Sequence, residues 1–143
     1  MRIADVLRVK GSKVATISPD TTVTELISGL AQQNIGAMVV VGPDGVLGIV
    51  SERDVVRRLN ERGAEVLKQP VSEIMTSLVV TCAPSDAVDS LSALMTENRV
   101  RHVPVIVDGQ LGGIVSIGDV VKTRMEELQA EQEQLHTYIT QGG

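Results

Sequence analysis

Gly48-Ile49-Val50-Ser51-Glu52-Arg53-Asp54-Val55-Val56 returns 65 residues later as Gly113-Ile114-Val115-Ser116-Ile117-Gly118-Asp119-Val120-Val121. At the same spacing and without a gap, Val40 falls on Val105, Leu26 on Leu91, Val23 on Val88, Pro19 on Pro84, Thr16 on Thr81 and Val14 on Val79. The chain therefore holds two copies of one supersecondary unit. Solenoids need about three or more repeats to bury their faces, so these two copies are expected to pack on each other about a pseudo-two-fold axis.

Each copy reads as strand, helix, strand, strand, helix. In copy one, Val14 to Ile17 is a short β-rich run stopped by Pro19, and Thr22 with Glu25 forms a capping-box pattern ahead of Val23, Leu26, Ile27, Leu30 and Ala31 at helical spacing. Met38 to Val41 and Val46 to Val50 flank Gly42-Pro43-Asp44-Gly45, which predicts an antiparallel pair. Ser51 opens a second helix that stops before Gly63. Copy two predicts a strand over Val79–Thr81, a helix over Asp86–Asn98, strands over Val103–Val107 and Leu111–Val115, and a helix from Ser116. That last helix outruns the repeat, carrying Val121, Met125, Leu128 and Leu135 at near-heptad spacing. Its stripe suits packing on its own domain or a helix-to-helix contact between subunits.

A chain of 143 residues has room for one compact domain or two small units sharing a core. Its 43% hydrophobic and 22% charged residues are globular values, and a lone Cys82 permits no internal disulfide, which fits a reducing cytoplasm. The net charge of -5 has the wrong sign for coating a nucleic acid or an anionic membrane. No apolar stretch approaches the roughly 20 residues that span a bilayer, and Met1 to Lys10 lacks a signal-peptide pattern. With no Phe or Trp and only Tyr138, a bound base has to lie between aliphatic side chains.

His102 and His136 stand far apart without carboxylates or thiols at ligand spacing, so no metal is expected, and Cys82 reads as packing. The repeated Ser-x-x-Asp is more informative. Ser51 and Ser116 suit helix N-caps, with Asp54 and Asp119 answering them at the third helical position. The same place suits a ligand, because backbone N–H groups at a helix start attract phosphate and a carboxylate can accept from both hydroxyls of a ribose. The copies differ in charge. Asn98-Arg99-Val100-Arg101-His102 replaces Gln33-Asn34-Ile35-Gly36-Ala37, while Arg53 is replaced by Gly118. That cluster either pairs with Glu97 or Asp108 as a solvated loop, or holds the phosphates of an anionic ligand.

The doubled unit, together with Asn98-Arg99-Val100-Arg101-His102-Val103-Pro104-Val105-Ile106 and the Gly113 to Val121 segment, resembles a tandem pair of cystathionine-β-synthase-type (CBS) domains, the Bateman module. The resemblance implies an α/β (α+β) fold of two β-α-β-β-α units packed through their sheets: unit one over 1–62, a linker over 63–72, unit two over 73–126, and an amphipathic C-terminal helix and tail over 127–143. It further implies clefts for AMP, ADP, ATP, NAD or S-adenosylmethionine, and a homodimer. By position, Asp54 and Asp119 would hold ribose hydroxyls, Ser51 and Ser116 the phosphate or ribose edge, and Arg101 and His102 the phosphate, with Arg53 opposite. Lys13 and Leu78 would border the base with Met38 and Pro104 nearby, and Gly36 and Gly118 would line the clefts. Gly36-Ala37 lacks the basic pair, which sets the two clefts apart. The expected function is a non-enzymatic regulatory sensor of adenosyl nucleotides acting on its own dimer or on a partner protein. The alternative is an interaction scaffold with vestigial clefts.

Overall fold

The computed structural model describes residues 1–77 and 80–142, with side chains as far as residue 140. In chain order the elements are α1 (Ile3–Lys10), β1 (Thr16–Ile17), α2 (Val23–Gln33), β2 (Ala37–Gly42), β3 (Gly45–Ser51) and α3 (Glu52–Arg62). Two 3-10 turns, Gly63–Lys68 and Val71–Glu73, lead to β4 (Thr76–Ser77), α4 (Val88–Asn98), β5 (His102–Val107), β6 (Gln110–Ser116) and α5 (Ile117–Gly142). One sheet has the order β1-β2-β3-β4 and the other pairs β5 with β6. Leu78 and Val79 lie outside the described residues; of the strand expected over Val79–Thr81, Val80 and Thr81 are not in a strand, and the parallel bridge to Val105 is made one residue later by Cys82.

The repeat survives in detail. β2 and β3 pair antiparallel from Ala37↔Ser51 to Gly42↔Gly45, with a register shift between Val40 and Val41. β5 and β6 pair from His102↔Ser116 to Val107↔Gln110 with the matching shift between Val105 and Ile106. Ile17 lies against Val40 as Cys82 lies against Val105. Helices α2 and α4 both end on a residue in the left-handed region, Asn34 at φ 53° and Arg99 at φ 54°. Such a residue lets the cap amide return to the last turn, Asn34 N–H to the carbonyls of Ala31 and Leu30 and Arg99 N–H to that of Met95. At the start of α2 the Glu25 amide donates to Thr22 Oγ1 at 3.2 Å, and among the described residues Glu25 returns no bond, so only half of the expected box is present.

Helix α1 is not among the elements expected from the sequence pattern. Its apolar side, Ile3, Val6 and Leu7, packs into the core of copy two with Val88, Leu91, Met95, Val103, Val105 and Val115. The Ile3 and Ala4 amides donate to the carbonyls of Asp86 and Pro84, both at 2.9 Å, and Val88 donates back to Met1 at 3.0 Å. Copy one is completed in the same way by the connecting stretch. Val71 donates to Thr21 at 2.7 Å, Ser72 to Pro19 at 3.1 Å, and Val23 back to Gln69 at 3.0 Å. Val66, Val71 and Ile74 are buried against Val23, Leu26, Val40 and Val50. The N-terminal segment and the connection thus do equivalent work, each sealing the copy that is not next to it on its C-terminal side.

Helix α5 buries Val120 and Thr123 in its first turns. From Gln129 to Thr140 every residue is exposed. Leu135, Tyr138 and Ile139 therefore have no cover from their own domain. Among the described residues no helix is long and apolar enough to cross a membrane.

The glycine that opens the repeated block has a steric cause. A Cβ on Gly48 would run into the Thr76 carbonyl of β4, and one on Gly113 would lie 2.7 Å from Leu7 Cδ2 of α1. Both glycines admit the segment that crosses from elsewhere in the chain. Gly48→Ala is expected to lose about 1–3 kcal/mol, because backbone rather than a flexible side chain has to move. Gly113→Ala should lose less, since Leu7 can turn aside. Urea unfolding of both variants checks the order.

Candidate functional site

A cleft of about 1000 Å³ opens between the copies. One wall is the β3–α3 junction, contributing Ser51, Glu52, Arg53, Asp54 and Arg57. The opposite wall is Asn98 to His102, where α4 turns into β5. Thr76 and Ser77 of β4 lie at its edge, and Ile49, Val56, Val80 and Val100 supply apolar surface. Gly36 and Arg101, equivalent by the repeat, both line it. Their carbonyls accept the first amide of the following helix within their own copies, Glu52 N–H at 3.0 Å and Ile117 N–H at 2.8 Å.

Ser51 and Asp54 form a complete capping box. The Ser51 amide donates to Asp54 Oδ2 at 2.8 Å, and the Asp54 amide donates to Ser51 Oγ at 3.4 Å. Ser51 Oγ also donates to Oδ2 at 3.1 Å. The other carboxylate oxygen, Oδ1, accepts one long bond from Thr76 Oγ1 at 3.3 Å. A carboxylate oxygen has room for more than one donor, so capping on Oδ2 leaves Oδ1 with acceptor capacity.

The arginines divide sharply. Arg2 donates to the Ser85 carbonyl and Arg62 to Gln69, while Arg8, Arg58 and Arg124 pair with Asp5, Glu61 and Glu127. The side chains of the other four, Arg53, Arg57, Arg99 and Arg101, have no hydrogen bond or ion pair among the described residues, and all four line the cleft. Among the described residues neither Glu97 nor Asp108 pairs with the basic loop. Arg99 also sits in the left-handed region at φ 54°, a conformation that costs a non-glycine residue roughly 1–2 kcal/mol. Strain of this kind collects where a site needs it.

Copy two holds its acid differently. Ser116 and Asp119 repeat the box, with the Ser116 amide 2.8 Å from Oδ2 and the Asp119 amide 3.2 Å from Ser116 Oγ. Lys10 Nζ then adds a third donor to the same Oδ2 at 2.6 Å. Burial works to raise the Asp119 pKa, but the Lys10 and Ser116 hydrogen bonds and the Lys10 charge outweigh it and hold the carboxyl below its usual value. The His102 pKa is lowered as well, which for a histidine favours the neutral form. Burial first, then the charges of Lys10 and Arg101, lower its pKa against the opposing pull of Asp119. At neutral pH His102 is therefore an uncharged hydrogen-bonding group, and the cationic character of this wall rests on Arg99 and Arg101.

The structure brings Gly36, Ser51, Arg53, Asp54, Arg101 and His102 into one cleft. Ser116 and Asp119 stand with Lys10 outside that lining, and Gly118 borders a shallow groove on α5 with Ile117, Val121 and Met125. Met38 is buried in the copy-one core and Pro104 is buried in β5, its carbonyl accepting the Cys82 amide at 3.0 Å. Lys13 is exposed in the stretch before β1 and is not part of the lining, and Leu78 lies outside the described residues. Arg57, Thr76 and Lys10 have no place in the sequence reading. Arg57 had a visible signal, one helical turn after Arg53, whereas Thr76 and Lys10 arrive through tertiary crossings.

The CBS domain family model matches residues 4–61 and 71–126. The mitochondrial CBS domain-containing protein CBSX3 of Arabidopsis thaliana is 38% identical over 99% of this chain and 72% of its own length. A CBS-domain-containing protein from Agrobacterium tumefaciens has a crystal structure at 46% identity and a TM-score of 0.83, covering 87% of this chain and 99% of that one. A CBS domain protein from Pyrobaculum aerophilum, solved in complex with AMP, matches at 28% identity and a TM-score of 0.73, over 83% of this chain and 89% of that one. The chain belongs to the CBS-domain family, as a tandem pair of such domains.

The His102 shift sets the sign of a pH effect. Its folded pKa lies below the ordinary 6.5, so the unfolded chain binds the proton first, and stability declines as pH falls from about 6.5 toward the folded value. The depressed Asp119 pKa adds a further loss only below the ordinary carboxylate value of 3.8. His102→Asn should flatten the decline between about pH 7 and 5 in urea titrations. An unchanged slope would assign the effect to other groups.

Proposed function

We propose that the protein is a regulatory sensor that binds an adenosyl nucleotide in the cleft between its CBS units and responds by changing their packing, without turning the ligand over. The observation that carries this reading is the set of four unpartnered arginines facing a capped aspartate in one cleft. Uncompensated guanidinium groups repel one another, and an anion that joins them relieves that repulsion while gaining charge-assisted bonds of about 1.5–3 kcal/mol each. Asp54 supplies the acceptor for a ribose diol. Ile49, Val56, Val80 and Val100 offer aliphatic surface for the base, as a chain almost without aromatic residues requires. The Pyrobaculum relative in complex with AMP supports the ligand class.

A ligand spanning α3 of copy one and the loop before β5 of copy two favours whichever arrangement of the copies lets it touch both. The reading assigns the output to the uncovered stripe of α5, through a homodimer contact that responds to that arrangement. Val121, Met125 and Leu128 on that stripe are 50%, 64% and 45% exposed.

A thermal-shift panel of AMP, ADP, ATP, NAD and S-adenosylmethionine, with and without magnesium, tests the proposal. Phosphate-bearing ligands should stabilise by about 2.7 kcal/mol at 100-fold over their dissociation constant, and cationic S-adenosylmethionine should stabilise least. Asp54→Ala should abolish the response, and Arg99→Asn should weaken it about tenfold without lowering basal stability, because Asn34 already fills the equivalent left-handed position. No response to any adenosyl compound would overturn the sensor reading.

A further inference from the structure

The two capped aspartates look alike in sequence and differ in what sits on them. Above Asp54 the crossing segment, residues 75–77, reads Met-Thr-Ser, and its contribution to the carboxylate is the neutral hydroxyl of Thr76. Above Asp119 the crossing segment is α1, and its last residue, Lys10, places an ammonium 2.6 Å from Oδ2. Lys10 is held there twice over, since Nζ also donates to the Ile114 carbonyl at 2.8 Å. The helix that carries it is fixed by buried Ile3 and Val6 and by Leu7 lying over Gly113. Asp54 lines the open cleft and Asp119 does not.

We propose that Lys10 is a built-in occupant of the second nucleotide position, a cation from the chain's own N-terminal helix that holds Oδ2 of the Asp119 carboxylate and competes there with a ribose diol. The proposal rests on the adenosyl reading above and extends it to which of the two sites is open. Ribose hydroxyls are neutral donors, and to reach Asp119 they compete with a charged donor that is tethered and already in place. The apparent affinity of this position is reduced by the fraction of time Lys10 spends away from it. Linkage makes the relation reciprocal: a ligand that does seat on Asp119 loosens the last turn of α1, the helix that seals the core of copy two. The two positions of the pair are thus unequal, Asp54 ready for ligand and Asp119 held in reserve.

Calorimetric titration of the full chain with AMP distinguishes the outcomes. The wild type should bind one AMP per chain, with binding lost in Asp54→Ala. Lys10→Met should reveal a second AMP per chain, its affinity at least tenfold tighter than any second binding in the wild type. Lys10→Arg should keep a single site, and Asp119→Asn added to Lys10→Met should remove the second. Lys10→Gln, which keeps a polar side chain, provides the same readout if Lys10→Met melts early in circular dichroism. A single site in both Lys10→Met and Lys10→Gln, with Asp54-dependent binding intact, overturns the proposal and leaves the adenosyl reading standing. Absence of AMP binding in every protein overturns both.

Discussion

The structure depends on a reciprocal crossing of the chain. Ile3 and Val6 complete the core of copy two, and Val66, Val71 and Ile74 complete the core of copy one. Fully burying a side chain of this size is worth about 1.5–3 kcal/mol. Either set therefore supplies a large fraction of the roughly 5–15 kcal/mol by which a domain is stable. The crossing also explains why the repeated block opens on glycine: Gly48 and Gly113 are where the two crossing segments pass over the hairpins. Because the crossings hold the copies side by side, the α3 terminus of one faces the α4–β5 loop of the other, and the cleft is a consequence of the packing.

Within that frame the copies have diverged in charge. Arg53, Arg99 and Arg101 correspond to Gly118, Asn34 and Gly36. The cations are concentrated on one cleft of a chain whose net charge is -5. The side chains of these arginines have no partner among the described residues, and Arg99 holds the left-handed cap that Asn34 holds in copy one. The opposite solution appears at Asp119, where a cation from α1 satisfies the acid internally and depresses its pKa. The arginines of one site are left without side-chain partners and the acid of the other is paired with a cation from the chain itself, an asymmetry that the shared Ser-x-x-Asp pattern conceals.

Much of this was legible in the sequence, and the remainder was hidden for physical reasons. The 65-residue register, both hairpins and the α3 and α5 starts follow from local pattern, and even the register shifts repeat as the sequence does. Asp54, Arg101 and His102 were identifiable because a capping box and a run of cations are local signals. The protonation of His102 was not, since it depends on burial and on Lys10, 92 residues away in sequence and adjacent in space. The N-terminal helix is equally opaque. Ile3, Val6 and Leu7 have helical spacing, but eight residues form a stable helix only when a core receives them, and that core belongs to the far half of the chain. Lys10 meets Asp119 across a separation of 109 residues, a contact no local pattern encodes.

The claim that a nucleotide bridges the two copies at Asp54 is tested most directly by a crystal structure of the protein with AMP. The account predicts ribose hydroxyls within hydrogen-bond distance of Asp54 and a phosphate among the guanidinium groups of Arg53, Arg57, Arg99 and Arg101. AMP ordered elsewhere on the molecule, with only solvent between Asp54 and those arginines, would contradict it.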